Sequence, residues 1–267
     1  MNLDRCSVNQ MTVRQLGLPD LVAHCVRLGV PAVGLWREPV RAYGVEAAAA
    51  LVRDAGLTVS TLCRGGFFTS AGWQEANRAA IDEAAALGTD TLVLVSGGLP
   101  TGSRDLAAAR ARIADGVAAL APYAGDHGVR LAIEPLHPMF AADRCAVSTL
   151  DQALDIAEGF PPEQVGVVVD TYHLWWDDRA PSAVARAAAT GRIHSFQLAD
   201  WTTPLPAGVL NGRAQLGTGS IDLTAWSKLL DDVGYTGPIE VELFNEELWS
   251  RDGAQLLEQT VKAFLTL

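Results

Sequence analysis

Residues 131–138 read Leu131-Ala132-Ile133-Glu134-Pro135-Leu136-His137-Pro138, a short run of strand-forming residues that ends on a carboxylate and is stopped by proline. The pattern returns downstream in Val167-Val168-Val169-Asp170-Thr171-Tyr172-His173, Phe196-Gln197-Leu198-Ala199-Asp200 and Val241-Glu242-Leu243-Phe244-Asn245. Outward from these, β-rich runs begin near Leu3, Ala32, Thr58, Thr91, Arg130, Val165, Ile193 and Pro238, separated by Ala/Leu-rich stretches. Strand alternating with helix is the pattern of parallel strands joined by crossover helices. Eight such units predict an α/β fold, a single (β/α)8 TIM-type barrel over residues 1–267. A doubly wound open sheet competes, but Cys6-Ser7-Val8-Asn9-Gln10 after the first strand contains no glycine for a phosphate-binding turn.

Punctuation between the strands agrees. Leu21, Cys25 and Leu28 share one helical face, as do Ile81, Ala84 and Ala85. Thr149 with Gln152 forms a capping box, and Gly29, Gly56, Gly88 and Gly128 stand where helices end. Residues 40–52 and 106–124 read as Ala-heavy helices. The long interval from Ile193 to Pro238 carries a polar, Gly-rich stretch, Trp201–Ser220, expected to be a functional loop.

At 267 residues the chain has the length one barrel needs, and with 49% hydrophobic and 19% charged residues it can bury a large core. A net charge of −11 repels phosphate backbones, which argues against nucleic acid and anionic membranes as partners and for a small-molecule substrate. Cys6, Cys25, Cys63 and Cys145 are widely spaced and form neither a zinc knuckle nor a disulfide framework, which suits a reducing compartment. With no basic, apolar leader at the start, a cytoplasmic location is expected.

In such a barrel the active site lies at the C-terminal ends of the strands. There Glu134, Asp170, Gln197 and Glu242 end four consecutive strands. If Ala132 and Glu134 face the interior, Leu131 and Ile133 face the helices, and the same parity holds for Val168 with Asp170. Three carboxylates converging in a dry site need a cation or must keep protons. Oxygen donors without thiolate favour one Mn²⁺, Mg²⁺ or Co²⁺ over a structural zinc. Taken singly, any of these acids is as well explained as a helix cap or an arginine partner; four in register are not.

On these residues the chain resembles the sugar phosphate isomerase/epimerase superfamily, the xylose-isomerase-like barrels that include ketose 3-epimerases, inosose-converting enzymes and 3-dehydroshikimate dehydratases. The likeness spans the chain and is most specific from Leu131 to Asn245. It implies one metal held by Glu134, Asp170, position 197 and Glu242. It also implies that His173, in a segment similar to the family's Asp-Thr-aromatic-His motif, touches a substrate oxygen, and that Arg213 is a substrate-binding arginine. The family's usual histidine on strand seven is here Gln197, as in the dehydratase-like branch; its amide oxygen still suits a hard cation. His194 has the opposite parity and reads as a packed histidine.

The expected chemistry is proton abstraction beside a metal-polarised ketone through an enediolate, with Glu134 and Glu242 as the acid/base pair implied by the resemblance. His173 is expected to donate to the oxyanion and His137 to contact a further hydroxyl or the leaving group. Arg213 is expected to pair with a substrate carboxylate or phosphate, unless it is a solvated loop residue. Trp175 and Trp176 are expected at the mouth, either against a sugar or cyclitol ring or in a subunit contact of a possible homodimer. Arg64, and Trp36 with Glu38, stand at strand ends where they would shape the pocket. Glu240 shares the parity of Glu242 one layer deeper, either paired inside the barrel or an alternative to Glu242. The leading function is a metal-dependent isomerase or epimerase of a sugar, keto-sugar or cyclitol. A metal-dependent lyase on a cyclic hydroxy-ketone and a non-catalytic metal-stabilised binding protein are the alternatives. A DNA-repair nuclease, which needs several zincs and many histidines, does not suit an acidic chain with 5 histidines.

Overall fold

The computed structural model describes residues 1–267, the side chain of Val209 excepted. In chain order the elements are β1 (Cys6–Asn9), α1 (Leu18–Leu28), β2 (Ala32–Trp36), α2 (Arg37–Tyr43), α3 (Val45–Asp54), β3 (Thr58–Gly66) and α4 (Trp73–Leu87). Then come β4 (Thr91–Val95), α5 (Leu106–Asp126), β5 (Arg130–Glu134), α6 (Leu150–Ala157), β6 (Val165–Asp170), α7 (Thr171–Leu174), α8 (Ala180–Ala189) and β7 (Ile193–Leu198). A two-stranded insertion, β8 (Asp200–Trp201) with β9 (Arg213–Ala214), precedes α9 (Leu223–Asp232), β10 (Ile239–Val241), α10 (Glu246–Trp249) and α11 (Gly253–Leu265). Strands β1 to β7 and β10 are parallel and close into a barrel, β10 sealing β7 to β1, so the chain is a (β/α)8 barrel and not an open sheet.

Six of the eight barrel strands begin where the sequence pattern places them. The first begins at Cys6 rather than near Leu3. Asn2 accepts a hydrogen bond from the Asp4 amide and winds Leu3–Arg5 into a 3-10 turn, a local side-chain alternative that wins before the strand can pair. The last begins at Ile239, since Pro238 has no N–H to give a neighbouring strand. The expected helix over 40–52 is two helices, because Gly44 adopts φ 102° between them. At Thr149 the capping box forms with one change: the Gln152 amide donates to Thr149 Oγ1 (3.2 Å), while Gln152 Oε1 receives the amide of Ser148 (2.9 Å).

Strand parity divides the core in two. Leu131, Ile133, Val167 and Val169 join the large apolar layer between strands and helices. Cys63, Val93, Ala132 and Val168, with Trp36 against them, form a small separate cluster inside the barrel. Toward β1 and β10 the interior is polar instead. The Glu240 carboxylate lies across it, receiving Asn9 Nδ2 (2.6 Å), Ser60 Oγ (2.7 Å) and Thr61 Oγ1 (2.8 Å). Gly34 on β2 makes room for that carboxylate, since a Cβ there would stand 2.3 Å from Glu240 Oε1. Among the described residues no helix is long and apolar enough to cross a membrane.

Candidate active site

The interior residues at the C-terminal ends of β5, β6, β7 and β10 come from four neighbouring strands. Asp170 lies in register with Gln197, and Gln197 with Glu240. Glu134, Asp170, His173, Gln197, Arg213 and Glu242 are all buried. Ligand atoms of Glu134, Asp170 and His173 lie within 4.8 Å of one another.

Local backbone chemistry sets this up. Asp170 ends β6 and caps α7: its Oδ1 receives the Tyr172 amide (2.8 Å), which leaves Oδ2 aimed at the site. Thr171 ties the strand ends together, donating to the Ala199 carbonyl (2.7 Å) and accepting from the Ala199 amide (3.0 Å). One turn of helix then returns His173 over the carboxylates, its Nε2 3.7 Å from Asp170 Oδ2 and 3.9 Å from Glu134 Oε1. His173 Nδ1 receives the His137 amide (3.1 Å). Burial, and then Arg213 and His137, push the His173 pKa well below the usual value. The ring is therefore neutral, with Nδ1 receiving the His137 amide and Nε2 facing the site, 3.3 Å from Arg213 Nη2.

Part of the positive charge that the crowded carboxylates call for is a side chain. Arg213, on β9, is an ion pair with Glu242 through Nη1 and lies 3.3 Å from Asp170 Oδ2 through Nη2. It is not a solvated loop arginine. Its Nη1 also donates to the Glu242 carbonyl (2.9 Å), and its guanidinium lies over the rings of Phe244 and Tyr172. Burial works against its charge, but Glu242, Asp170 and Glu134 keep it protonated. The insertion that carries it is pinned by Asp200, whose carboxylate receives the amides of Trp201, Gly219 and Ile221 at 2.8–2.9 Å. Asn245 Nδ2 holds the Arg213 carbonyl (2.8 Å).

The remaining carboxyls are tuned by the same crowding. Burial, then Glu242 and Asp170, raise Glu134 well above the usual carboxylate value. Asp170 is pushed up to about 7 by burial, against the pull of Arg213. Burial and the neighbouring carboxylates likewise raise the Cys63 thiol, so it lines the site as a thiol and not as a thiolate ligand.

A cavity of about 90 Å³ opens over these groups, bounded by Trp36, Cys63, Arg64, Glu134, His173 and Arg213 together with Glu242, Phe244 and Arg144. His137 does not line it; the ring is half-buried, 5.2 Å from that of Trp201, with its pKa lowered by burial, while its amide holds His173. Trp176 is exposed, donates to the His173 carbonyl (2.7 Å) and meets the His137 ring edge-on at 5.6 Å. Trp175 does not reach the cavity. It packs on Trp201 (5.2 Å) and lines an outer groove with Pro181, Trp226 and Leu229, because α7 turns its side chain away from the one that His173 presents inward. Glu38 is exposed on α2 and does not line the cavity either. His194 lies below, Nε2 2.7 Å from the Pro162 carbonyl.

Donor chemistry suits a hard cation. Gln197 Oε1 is a buried acceptor with no hydrogen-bond donor and Asp170 Oδ2 has the Arg213 ion pair at 3.3 Å but no aligned hydrogen bond, while Gln197 makes only a long contact (3.4 Å) from Nε2 to Glu240 Oε1. Glu240 is satisfied by Asn9, Ser60 and Thr61, which marks it as a paired interior acid rather than an alternative to Glu242. The sequence alone assigned no role to Asn9, Ser60, Thr61, Tyr172, Asp200 and Arg144. Of these, Asn9 was accessible by the strand-end rule, for it is the last residue of β1.

Residues 22–260 match the family model described as xylose isomerase-like TIM barrel. The inosose isomerase of Bacillus subtilis (strain 168) is 27% identical over 146 residues, 54% of this chain and 50% of that one. The 3-dehydroshikimate dehydratase of Pseudomonas aeruginosa is 32% identical over 165 residues, 60% of this chain and 24% of its own. The chain thus spans about half the length, or less, of the curated relatives it matches. Among solved structures, protein SMc04130 from Sinorhizobium meliloti 1021 is 42% identical with a TM-score of 0.94, covering 99% of this chain and 98% of that one.

Proposed function

The chain belongs to the xylose isomerase-like TIM-barrel family, and from that premise we propose that it is a divalent-metal-dependent isomerase or epimerase acting on a ketone-bearing sugar or cyclitol. The observation that carries the reading is the buried cluster of Glu134, Asp170 and His173, joined to Glu242 by Arg213, with Gln197 Oε1 lacking a donor. Glu134, Asp170, Gln197 and Glu242 would hold Mn²⁺, Mg²⁺ or Co²⁺, which when bound supplies a Lewis acid beside the substrate carbonyl.

The side chains supply the rest. Glu242 takes the proton from the carbon next to the carbonyl, and Arg213, its partner, turns to a substrate oxygen when Glu242 engages the substrate. Glu134 is the acid that returns a proton. Return to the opposite face gives an epimer; return to the adjacent carbon gives an aldose/ketose isomer. His173 donates its Nε2 proton to the oxygen on which charge develops. Arg64 lines the cavity, where it contacts the substrate's remaining groups, and the His137 and Trp176 rings, packed on each other beside His173, are the expected contacts for a substrate that extends past it.

A second reading, loss of a β-hydroxyl as in a dehydratase, is favoured by Gln197 and by the likeness to a relative named 3-dehydroshikimate dehydratase. The test is metal analysis of the purified protein, then a panel of ketoses, inososes and dehydroshikimate-like acids in D₂O. Deuterium entering the α-carbon of an interconverting pair supports isomerisation, and irreversible loss of water selects the lyase. Glu242→Gln is expected to abolish exchange; retained turnover would end its role as base.

A further inference from the structure

Two arginines at the mouth make no hydrogen bond to the described residues of the chain through their guanidiniums. Arg64, at the end of β3, and Arg144, in the loop after β5, line the same cavity as Glu134, His173 and Glu242. The chain has 31 acidic against 20 basic residues, so an arginine without a carboxylate is unusual here. Other cations without one stand in open solvent, as Arg78 and Arg112 do, or donate to backbone carbonyls, as Arg110 does to Ala146 and Arg192 to Ala157. Among the described residues Arg64 alone is half-buried with neither a carboxylate within 4.0 Å nor a hydrogen bond from its guanidinium. Arg144 is half-buried too, and reaches only its exposed neighbour Asp143, at 3.9 Å.

Aromatic rings hold both in place. The Arg64 guanidinium lies 5.4 Å from the centroid of the Trp36 ring and 5.0 Å from that of Phe67; Arg144 lies 6.0 Å from that of Phe140. A guanidinium resting on a ring keeps its N–H edges free while losing hydration from its face, an arrangement suited to gripping a planar or tetrahedral anion. Neither arginine is needed to balance the inner carboxylates, because Arg213 already contacts Asp170 and Glu242.

We propose that the substrate carries an anionic group, a carboxylate or a phosphate, on the side away from its reacting ketone, and that Arg64 and Arg144 clamp it at the barrel mouth. This rests on the reading of the mouth as the substrate site, and it sorts substrates by charge, which the enolising chemistry does not. Neutral ketoses and cyclitols leave both guanidiniums without an anionic partner.

The test is calorimetric titration of the full chain with matched pairs: D-fructose 6-phosphate against D-fructose, and 3-dehydroshikimate against its methyl ester. Each titration is run with Mn²⁺ and again in EDTA. The charged member of at least one pair is expected to bind about 10- to 100-fold more tightly than its neutral partner, the range for a hydrogen bond to a charged group. Which pair shows the gap identifies carboxylate or phosphate. Arg64→Gln and Arg144→Gln are each expected to narrow it, by weakening the charged ligand more than its neutral partner. Equal binding within both pairs, or a gap that survives both substitutions, overturns the proposal. Since the clamp does not use the metal, the EDTA series reads it even if the protein proves to bind no Mn²⁺, a result that would count against the enolising function alone.

Discussion

Replacing Arg213 by Met tests whether a side-chain cation holds the inner carboxylates together. The methionine keeps much of the buried stem but removes the charge facing Asp170 and Glu242. Breaking a buried pair by deleting one partner costs about 3–5 kcal/mol. For 267 residues, with an unfolding entropy of about 2.1 cal/mol/K per residue, that lowers the melting temperature by about 5–9 °C. The cost depends on the protonation of what is left behind. Asp170 is pushed up to about 7 even with the arginine present, so below that pH it takes a proton and the loss shrinks. Differential scanning calorimetry in EDTA should therefore show a larger gap between wild type and Arg213→Met at pH 8 than at pH 5.5. Saturating Mn²⁺ at pH 8 should narrow it, since the ion supplies the missing charge. An unchanged melting temperature in EDTA at pH 8, or a gap that Mn²⁺ leaves untouched, would refute the reasoning.

Asp170 also predicts a pH slope for the metal-free protein. Its folded pKa of about 7 lies above the ordinary 3.8, so its contribution is full below about pH 4 and falls away as pH rises to about 7, by about 4 kcal/mol in all. Urea titrations of wild type and Asp170→Asn across pH 4–8 check this, for the asparagine variant should show a shallower slope, the part due to Glu134 and Glu240 remaining; parallel curves would contradict it. Glu240→Gln places an amide among the donors Asn9, Ser60 and Thr61, and should cost about 1–3 kcal/mol while leaving Mn²⁺ affinity intact. Equilibrium dialysis of the ion separates that outcome from Glu242→Gln, which should weaken binding.

Strand-level periodicity carried most of the fold, because parallel strands covered on the outside by helices are read directly from apolar runs ended by glycine, proline or acid. It carried Glu134 and Asp170 as well: Ala132 and Val168, two residues before them, lie in the barrel's inner cluster as parity requires. What escaped was whatever depends on partners remote in sequence. The cradle of Glu240 draws on residues 179, 180 and 231 positions away, and no local pattern announces it. Arg213 stood out by its neighbours, but its place between Asp170 and Glu242 follows from the pairing of Trp201 with Arg213, a register set by the insertion itself. Trp175 was misplaced for a plainer reason. After Asp170 the chain leaves the strand, and residues two apart on a helix point in nearly opposite directions, so His173 turns inward and Trp175 outward.

The acids of this site stand on the barrel wall, whereas the group that balances them rides on a hairpin between β7 and α9, anchored chiefly by the carboxylate of Asp200. Scaffold and counter-charge are therefore separable parts. Exchanging residues 202–212 for a hairpin of another length, with Asp200 and Asn245 kept as its moorings, offers a way to retune reactivity without redesigning a single barrel strand.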